Sequence, residues 1–260
     1  MSAAPETLDS MLRTLKLPTM LACADDVAST GLREGWSFAQ YLHHLAELEL
    51  NERGRRRIER NLKESQLPLE KTLATLERSR LSVKVQRQLA ELCEGGFVER
   101  AHNVLAFGLP GRGKSHIVCA IGHELVRRGH RVLFVPTFRL VQRLLVAKRD
   151  LALDRELRQL DHFDAVILDD IGYVQQDREE MEVLFTFLAE RYERRSVLIT
   201  SNLVFSQWEA IFKSPMTAAC AVDRLVQYSI ILELKGPSFR ADAARSLNEA
   251  QTLDEASPAP

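Results

Sequence analysis

The sequence predicts an α/β fold on a parallel sheet, preceded by a small all-α region, on three observations. From Asn103 onward, short apolar runs alternate with longer amphipathic stretches, the pattern of strands covered on both faces by helices. A glycine-rich stretch at 108–115 lies where the first of these runs meets the first helix. Residues 1–95 contain no strand-like run and are rich in Leu, Glu, Arg, Lys and Gln.

In the helical region, Leu8, Met11, Leu12 and Leu15 recur at helical spacing. Ser37 is a candidate N-cap for a helix through Tyr41, Leu42, Leu45, Leu48 and Leu50, and Pro68 and Gly95-Gly96 punctuate the residues beyond it. Five strands are predicted: Asn103 to Phe107, Arg131 to Val135, Ala165 to Leu168, Val197 to Thr200, and Ile230 to Leu234. Helices are expected over Lys114 to Arg128, stopped by Gly129, and over Arg178 to Arg194. Two more, Phe138 to Lys148 and Leu151 to Leu160, fall between the second and third strands. Residues Leu247 to Pro260 are mostly small, acidic or Pro, without clear periodicity. The expected division is therefore 1–95 helical domain, 96–246 α/β domain and 247–260 disordered tail.

Thirty-five Lys and Arg nearly balance thirty-six Asp and Glu in 260 residues, so affinity for nucleic acid must come from local patches rather than a global field. A hydrophobic share of 45% excludes disorder of the whole chain. Cys23, Cys93, Cys119 and Cys220 show no metal-ligand or redox spacing and read as reduced, packed thiols. The N-terminus carries no apolar run of signal-peptide length, and no apolar stretch approaches the ~20 residues that span a bilayer. The expected location is the cytoplasm, with no membrane partner.

The candidate cofactor-binding residues are Gly108, Leu109, Pro110, Gly111, Arg112, Gly113, Lys114 and Ser115, with His116 next on the helix, its ring read as packing. Glycines at 108, 111 and 113 let the backbone N–H groups turn inward around a β-phosphate, and the helix N-terminus adds a favourable field. Lys114 would reach the β- and γ-phosphates of ATP, and the Ser115 hydroxyl would ligate Mg²⁺. A plain strand-to-helix turn needs one glycine and has no use for the Gly-Lys-Ser ending.

Asp164 to Asp170 reads as a buried strand ending in two carboxylates, at the sheet edge where ligands of open α/β folds bind. Asp169 is the candidate Mg²⁺ ligand, and Asp170 the candidate group that orients or activates the attacking water. The bland alternative is a solvated helix start. Ser196 to Asn202 is a further strand with a polar end. If it inserts between the strands carrying the loop and Asp169, Asn202 stands beside the γ-phosphate; otherwise it caps the turn before Phe205 to Ile211.

Further stretches make a resemblance specific: Phe-Val-Glu-Arg at 97–100, Gly-His-Arg-Val-Leu-Phe-Val at 129–135, and Leu-Asp-Asp-Ile-Gly-Tyr at 168–173. With Ala-Glu-Arg-Tyr-Glu-Arg-Arg-Ser at 189–196, Thr-Ser-Asn-Leu-Val-Phe-Ser-Gln-Trp at 200–208, Asp-Arg-Leu at 223–225 and Lys-Gly-Pro-Ser-Phe-Arg at 235–240, residues 97 to 240 resemble the AAA+ ATPase domain of IstB-type transposition helper proteins. The helicase loader DnaC is the relative most easily confused with them. The resemblance implies a sheet order of 5-1-4-3-2, which places Asn202 as a sensor residue. It also implies that Arg224 is an arginine finger acting on the ATP of a neighbouring subunit, and that Arg240 matches a terminal family Arg. Leu109 and Arg112 depart from the family's usual loop residues, at variable positions.

The helices between the second and third strands carry Arg139, Arg143, Lys148, Arg149 and Arg155, which would track DNA phosphates without reading bases. The extra helix there resembles the insertion of the initiator and loader branch. Arg55, Arg56 and Arg57 form the densest basic run and are a second DNA or partner candidate. A solvated helix face is the alternative in both places. Trp36 and Trp208 read as packing residues, and His43-His44 as no metal site. The expected function is ATP hydrolysis coupled to assembly of a homo-oligomer, ring or helical filament, on double-stranded DNA, and recruitment of a cognate transposase. A DnaC-like helicase loader is the alternative, and a P-loop metabolic kinase, for which no acceptor-binding module is found, a third reading.

Overall fold

The computed structural model describes residues 7–173, 178–203, 225–236, 238 and 239. By contacts the chain divides into two compact units, residues 1–60 and 61–260. The expectations for Trp208, Cys220, Arg224, Arg240, the 205–211 helix and the 247–260 tail lie outside the described residues.

The first unit begins with α1 (Leu8–Thr14), α2 (Pro18–Glu34) and the start of α3 (Phe38–Ser65). Each helix starts on a recognisable signal. Thr7 Oγ1 accepts from Ser10 N at 3.3 Å, and Pro18 opens α2, where a missing N–H costs nothing. Ser37 and Gln40 form a reciprocal capping box, Gln40 N to Ser37 Oγ at 3.3 Å and Ser37 N to Gln40 Oε1 at 2.8 Å. Gly35, with φ of 70°, ends α2, and Trp36 packs on Gly31 and edge-on against His44. The buried Glu49 fastens α3 to the start of α2: its carboxylate accepts from Thr19 N at 2.7 Å, Met20 N at 3.1 Å and Arg53 Nε at 2.8 Å. Burial works against the charge, but these donors outweigh it and hold the carboxyl below the usual range.

The second unit contains α4 (Val83–Cys93), α5 (Gly96–Glu99) and then an alternating series: β1 (Asn103–Phe107), α6 (Lys114–Arg127), β2 (Val132–Pro136), α7 (Thr137–Arg149), α8 (Leu153–Asp161), β3 (Ala165–Asp169), α9 (Arg178–Arg191), β4 (Ser196–Ser201) and β5 (Ser229–Glu233). All strand pairs are parallel, in the order β2-β3-β4-β1-β5, the order the resemblance implies. β1 and β4 are buried along their whole length, as continuous apolar runs in a doubly covered sheet require. α6 closes in a Schellman motif, Gly129 N to Val126 O and His130 N to Leu125 O, with Gly129 at φ of 92°.

The strands run within a residue of their predicted bounds. The larger differences are at helix ends. The helix expected to reach Arg194 stops at Arg191, because Glu193 takes φ of 55° and the chain turns through Arg194 N to Arg191 O. The helix expected from Leu151 starts at Leu153, with Leu151 itself at φ of 54°.

Arg191 is the largest fully buried side chain among the described residues. Its guanidinium donates to the carbonyls of Leu160 at 3.0 Å, Phe163 at 2.9 Å, Asp164 at 3.3 Å and Ser196 at 3.0 Å, tying together the amino edges of β3 and β4. Replacing it with Leu strands those acceptors without donors. Arg191→Leu is expected to destabilise the protein by about 3 kcal/mol or more, read from the urea midpoint. A shift under half of that would mean that water replaces the arginine.

Candidate nucleotide site at the carboxyl edge of the sheet

Parallel pairing carries the ends of β1, β3 and β4 to one edge, and every polar group of the candidate site leaves the sheet there. β1 runs into the loop at 108–113, whose Gly111 and Gly113 take φ of 79° and 77°, conformations that an L side chain resists. At Gly108 the constraint is closeness: a Cβ would lie 2.6 Å from the Leu234 carbonyl oxygen. Phe239 N donates to Gly111 O at 2.9 Å, and the Phe239 ring lies between Gly113 and the Arg80 guanidinium, 4.0 Å from the ring centre. A cleft of about 400 Å³ opens between the loop, Asn202 and the end of β5.

Lys114 opens α6 and is buried, its Nζ donating to Gly108 O at 2.7 Å, Leu109 O at 3.0 Å and Asn202 Oδ1 at 2.5 Å. Asn202 Nδ2 in turn donates to Asp170 Oδ1 at 3.2 Å. An ammonium only donates and an ionised carboxylate only accepts, so one orientation of the Asn202 amide serves both neighbours. Next to this chain, Ser115 Oγ donates to Asp169 Oδ1 at 2.6 Å. Asp169 ends β3, and Asp170 comes next in a left-handed conformation, φ of 62°.

Two threonines absent from the sequence-derived site shape this edge. Thr200 Oγ1 donates to Asp169 Oδ1 at 2.7 Å and accepts from Asp170 N at 2.7 Å; Thr137 Oγ1 donates to Asp169 O at 3.0 Å. Both are buried. The only sequence signal is a hydroxyl near the end of a strand for Thr200, which ordinary β propensity explains equally well, and a hydroxyl at the start of a helix for Thr137.

Of the other candidates, Leu109 and Pro110 are exposed, and Arg112 Nη1 reaches Leu234 O at 3.4 Å. The His116 ring lies against Thr72 O at 3.0 Å and Thr75 Oγ1 at 3.2 Å. Cys119, one helical turn beyond Ser115, has its thiol pushed up to about 12 by burial, with Asp169 and Glu70 adding to the rise. Among the described residues no three His, Cys, Asp or Glu side chains gather as a metal cluster, so a metal here would rest on few protein ligands, as magnesium commonly does.

The basic candidates stand largely in ion pairs. Arg143 pairs with Glu156, Lys148 with Glu182 at 3.0 Å and Arg149 with Asp150 at 3.3 Å. Arg139 lies by the Phe138 ring, and Arg155 is exposed. Arg55 and Arg56 pair with Glu52 at 2.7 Å, Arg55 also with Glu59, while Arg57 is exposed. The Glu52 carboxyl drops to about 2, chiefly through its hydrogen bond to Arg55.

The profile of a known family, IstB-like ATP binding protein, matches residues 10–246. The chain belongs to that family. Among IstB-like relatives, a Sinorhizobium fredii protein named for ATP binding and an insertion sequence is 43% identical over 238 residues, 91% of this chain and 80% of the relative. A Pseudomonas aeruginosa protein named for ATP binding and insertion sequence IS21 is 36% identical over 241 residues, 92% of this chain and 90% of the relative. Two solved structures share the fold of the IstB-like chain. DnaI has a TM-score of 0.55 at 20% identity, covering 66% of this chain and 96% of its own. AMPPCP-bound DnaA from Aquifex aeolicus has 0.54 at 18% identity, covering 71% and 57%. The fold is thus that of a P-loop AAA+ domain, and no described helix is long and apolar enough to cross a membrane.

Proposed function

We propose that this protein is a magnesium-dependent ATPase that assembles head to tail on double-stranded DNA and recruits or stimulates the transposase of its insertion sequence, hydrolysis driving disassembly. The supporting observation is the linked set Lys114–Asn202–Asp170 beside Ser115–Asp169 at one sheet edge. In this reading the loop N–H groups and the Lys114 ammonium hold the β- and γ-phosphates, Lys114 exchanging its loop carbonyls for phosphate oxygens. Ser115 Oγ and the Asp169 carboxylate, hard oxygen donors 2.6 Å apart, fit magnesium, which when bound neutralises charge on those phosphates. Asp170 orients the attacking water, and Asn202 holds Asp170 at a fixed distance from Lys114.

Arg224, outside the described residues, is assigned to act in trans on a neighbour's ATP. Arg224→Ala and Lys114→Ala should each be inactive alone. Mixed in equal amounts with DNA, about a quarter of head-to-tail interfaces should regain both elements, with measurable recovery of ATPase. Co-assembly without recovery would overturn the shared site and leave Arg224 acting within its own subunit or only structurally.

DNA affinity is expected to fall steeply with salt and to vary little with sequence. Charge removal at Arg139, Arg143 and Lys148 should flatten that slope. Because Arg143 and Lys148 are held by Glu156 and Glu182, Glu156→Gln with Glu182→Gln should tighten binding. Unchanged affinity in both sets, measured by fluorescence anisotropy on duplex DNA, would move the DNA contact off α7 and α8. The helicase-loader reading draws on the DnaI-like fold. ATPase stimulation by a replicative helicase, and not by a transposase, would select it.

A further inference from the structure

We propose that Thr200 is a positioning residue of the ATPase site, setting the metal-binding Asp169 carboxylate and the water-orienting Asp170 through one hydroxyl. The inference rests on the ATPase reading above and assigns a part to a residue that touches neither nucleotide nor metal in it.

Thr200 occupies the central strand β4, flanked by β1 and β3; the β3–β4 register pairs Leu168 with Ile199 and so sets Thr200 beside Asp169. Its side chain is buried, away from water that could substitute for it. A hydroxyl has one proton and two lone pairs. The Asp170 N–H, at 2.7 Å, takes a lone pair, so the proton is left for Asp169 Oδ1, also at 2.7 Å. The result is a directed chain, N–H to O–H to carboxylate, in which each bond polarises the next.

Both ends of that chain need holding. Asp170 sits at φ of 62°, a region that L residues enter at a cost and keep only when the surroundings fix it. The acceptor that fixes its N–H is Thr200. Asp169 Oδ1 receives two hydroxyls, Ser115 and Thr200. Ser115 is the one the proposed site gives to magnesium, and Thr200 aims the carboxylate from the sheet interior. Its β-branched χ1, stiff in a strand, keeps that aim without a further partner. One side chain therefore ties the metal ligand to the water-orienting acid.

The test compares Thr200→Val, which keeps the shape and loses the hydroxyl, with Thr200→Ser, which keeps the hydroxyl. A fluorescent ATP analogue is titrated in EDTA and in Mg²⁺, and kcat is measured separately. In EDTA, Thr200→Val should bind like wild type, since the phosphate loop is untouched. Its Mg²⁺-dependent gain in affinity and its kcat should fall about 10- to 100-fold, the usual effect of losing a partner that orients a metal ligand. Thr200→Ser should regain most of both. A wild-type Mg²⁺ response in Thr200→Val, or equal loss with and without Mg²⁺, overturns the proposal. If the valine variant does not fold, Thr200→Ser decides: loss of its Mg²⁺-dependent gain overturns the proposal, and retention supports it. A wild-type protein with no Mg²⁺-dependent ATP binding or hydrolysis refutes the ATPase reading itself, a result distinct from any outcome at Thr200.

Discussion

Lys114→Ala is expected to lose ATP binding, hydrolysis and ATP-dependent DNA binding together. The buried Nζ is shared by two loop carbonyls and Asn202, so in the proposed site it lies within reach of any phosphate the loop encloses. Losing two charge-assisted contacts to phosphate should weaken nucleotide affinity at least about 100-fold. The helix and the sheet keep their own backbone hydrogen bonds in this variant, so circular dichroism should remain native. Native dichroism with unchanged ATPase would sink the assignment of this loop.

Asp170→Asn separates the steps that Lys114→Ala collapses. Asn tolerates the left-handed backbone at 170, keeps the side-chain size and still offers an oxygen to Asn202 Nδ2. What disappears is the negative charge that, in the proposed site, orients and activates water. ATP affinity should stay within a few-fold of wild type while kcat falls about 10²- to 10⁴-fold. Single-turnover hydrolysis beside equilibrium binding reads the two effects apart. Loss of binding equal to that of Lys114→Ala would show that Asp169 and Asp170 have no separate roles.

Spacing along the chain made some of this arrangement legible, and spacing across the sheet hid the rest. Gly113-Lys114-Ser115 between an apolar run and an amphipathic helix is a local pattern, and the structure has β1, loop and α6 at those positions. The place of Asn202 depends on β4 lying between β1 and β3, which no local pattern encodes; it came from the family resemblance, and the strand order agrees. Thr200 was illegible because a threonine in an apolar strand needs no reason beyond its β branch, and Thr137 because a hydroxyl in the first turn of a helix reads as an ordinary helix start. The pairing of Lys148 was likewise hidden, because Glu182 arrives from α9. Helix ends at Arg191 and Leu153 were missed where Glu193 and Leu151 adopt positive φ and the chain closes the preceding helix through backbone bonds, Arg194 N to Arg191 O and Ala152 N to Ala147 O.

The close fit of Gly108 under Leu234, and of Phe239 over Gly111 and Gly113, bears on how the protein is made. β1 and its loop leave the ribosome well before β5 and the segment that braces them. Until β5 arrives, one edge of β1 has no neighbour and the loop lacks its backing. A nascent or truncated chain ending before residue 229 therefore carries the whole phosphate-loop sequence without its supported shape, and its bare strand edge is open to pairing with other chains. Competence to take up nucleotide is acquired only once β5 and the segment after it have emerged, together with protection against aggregation.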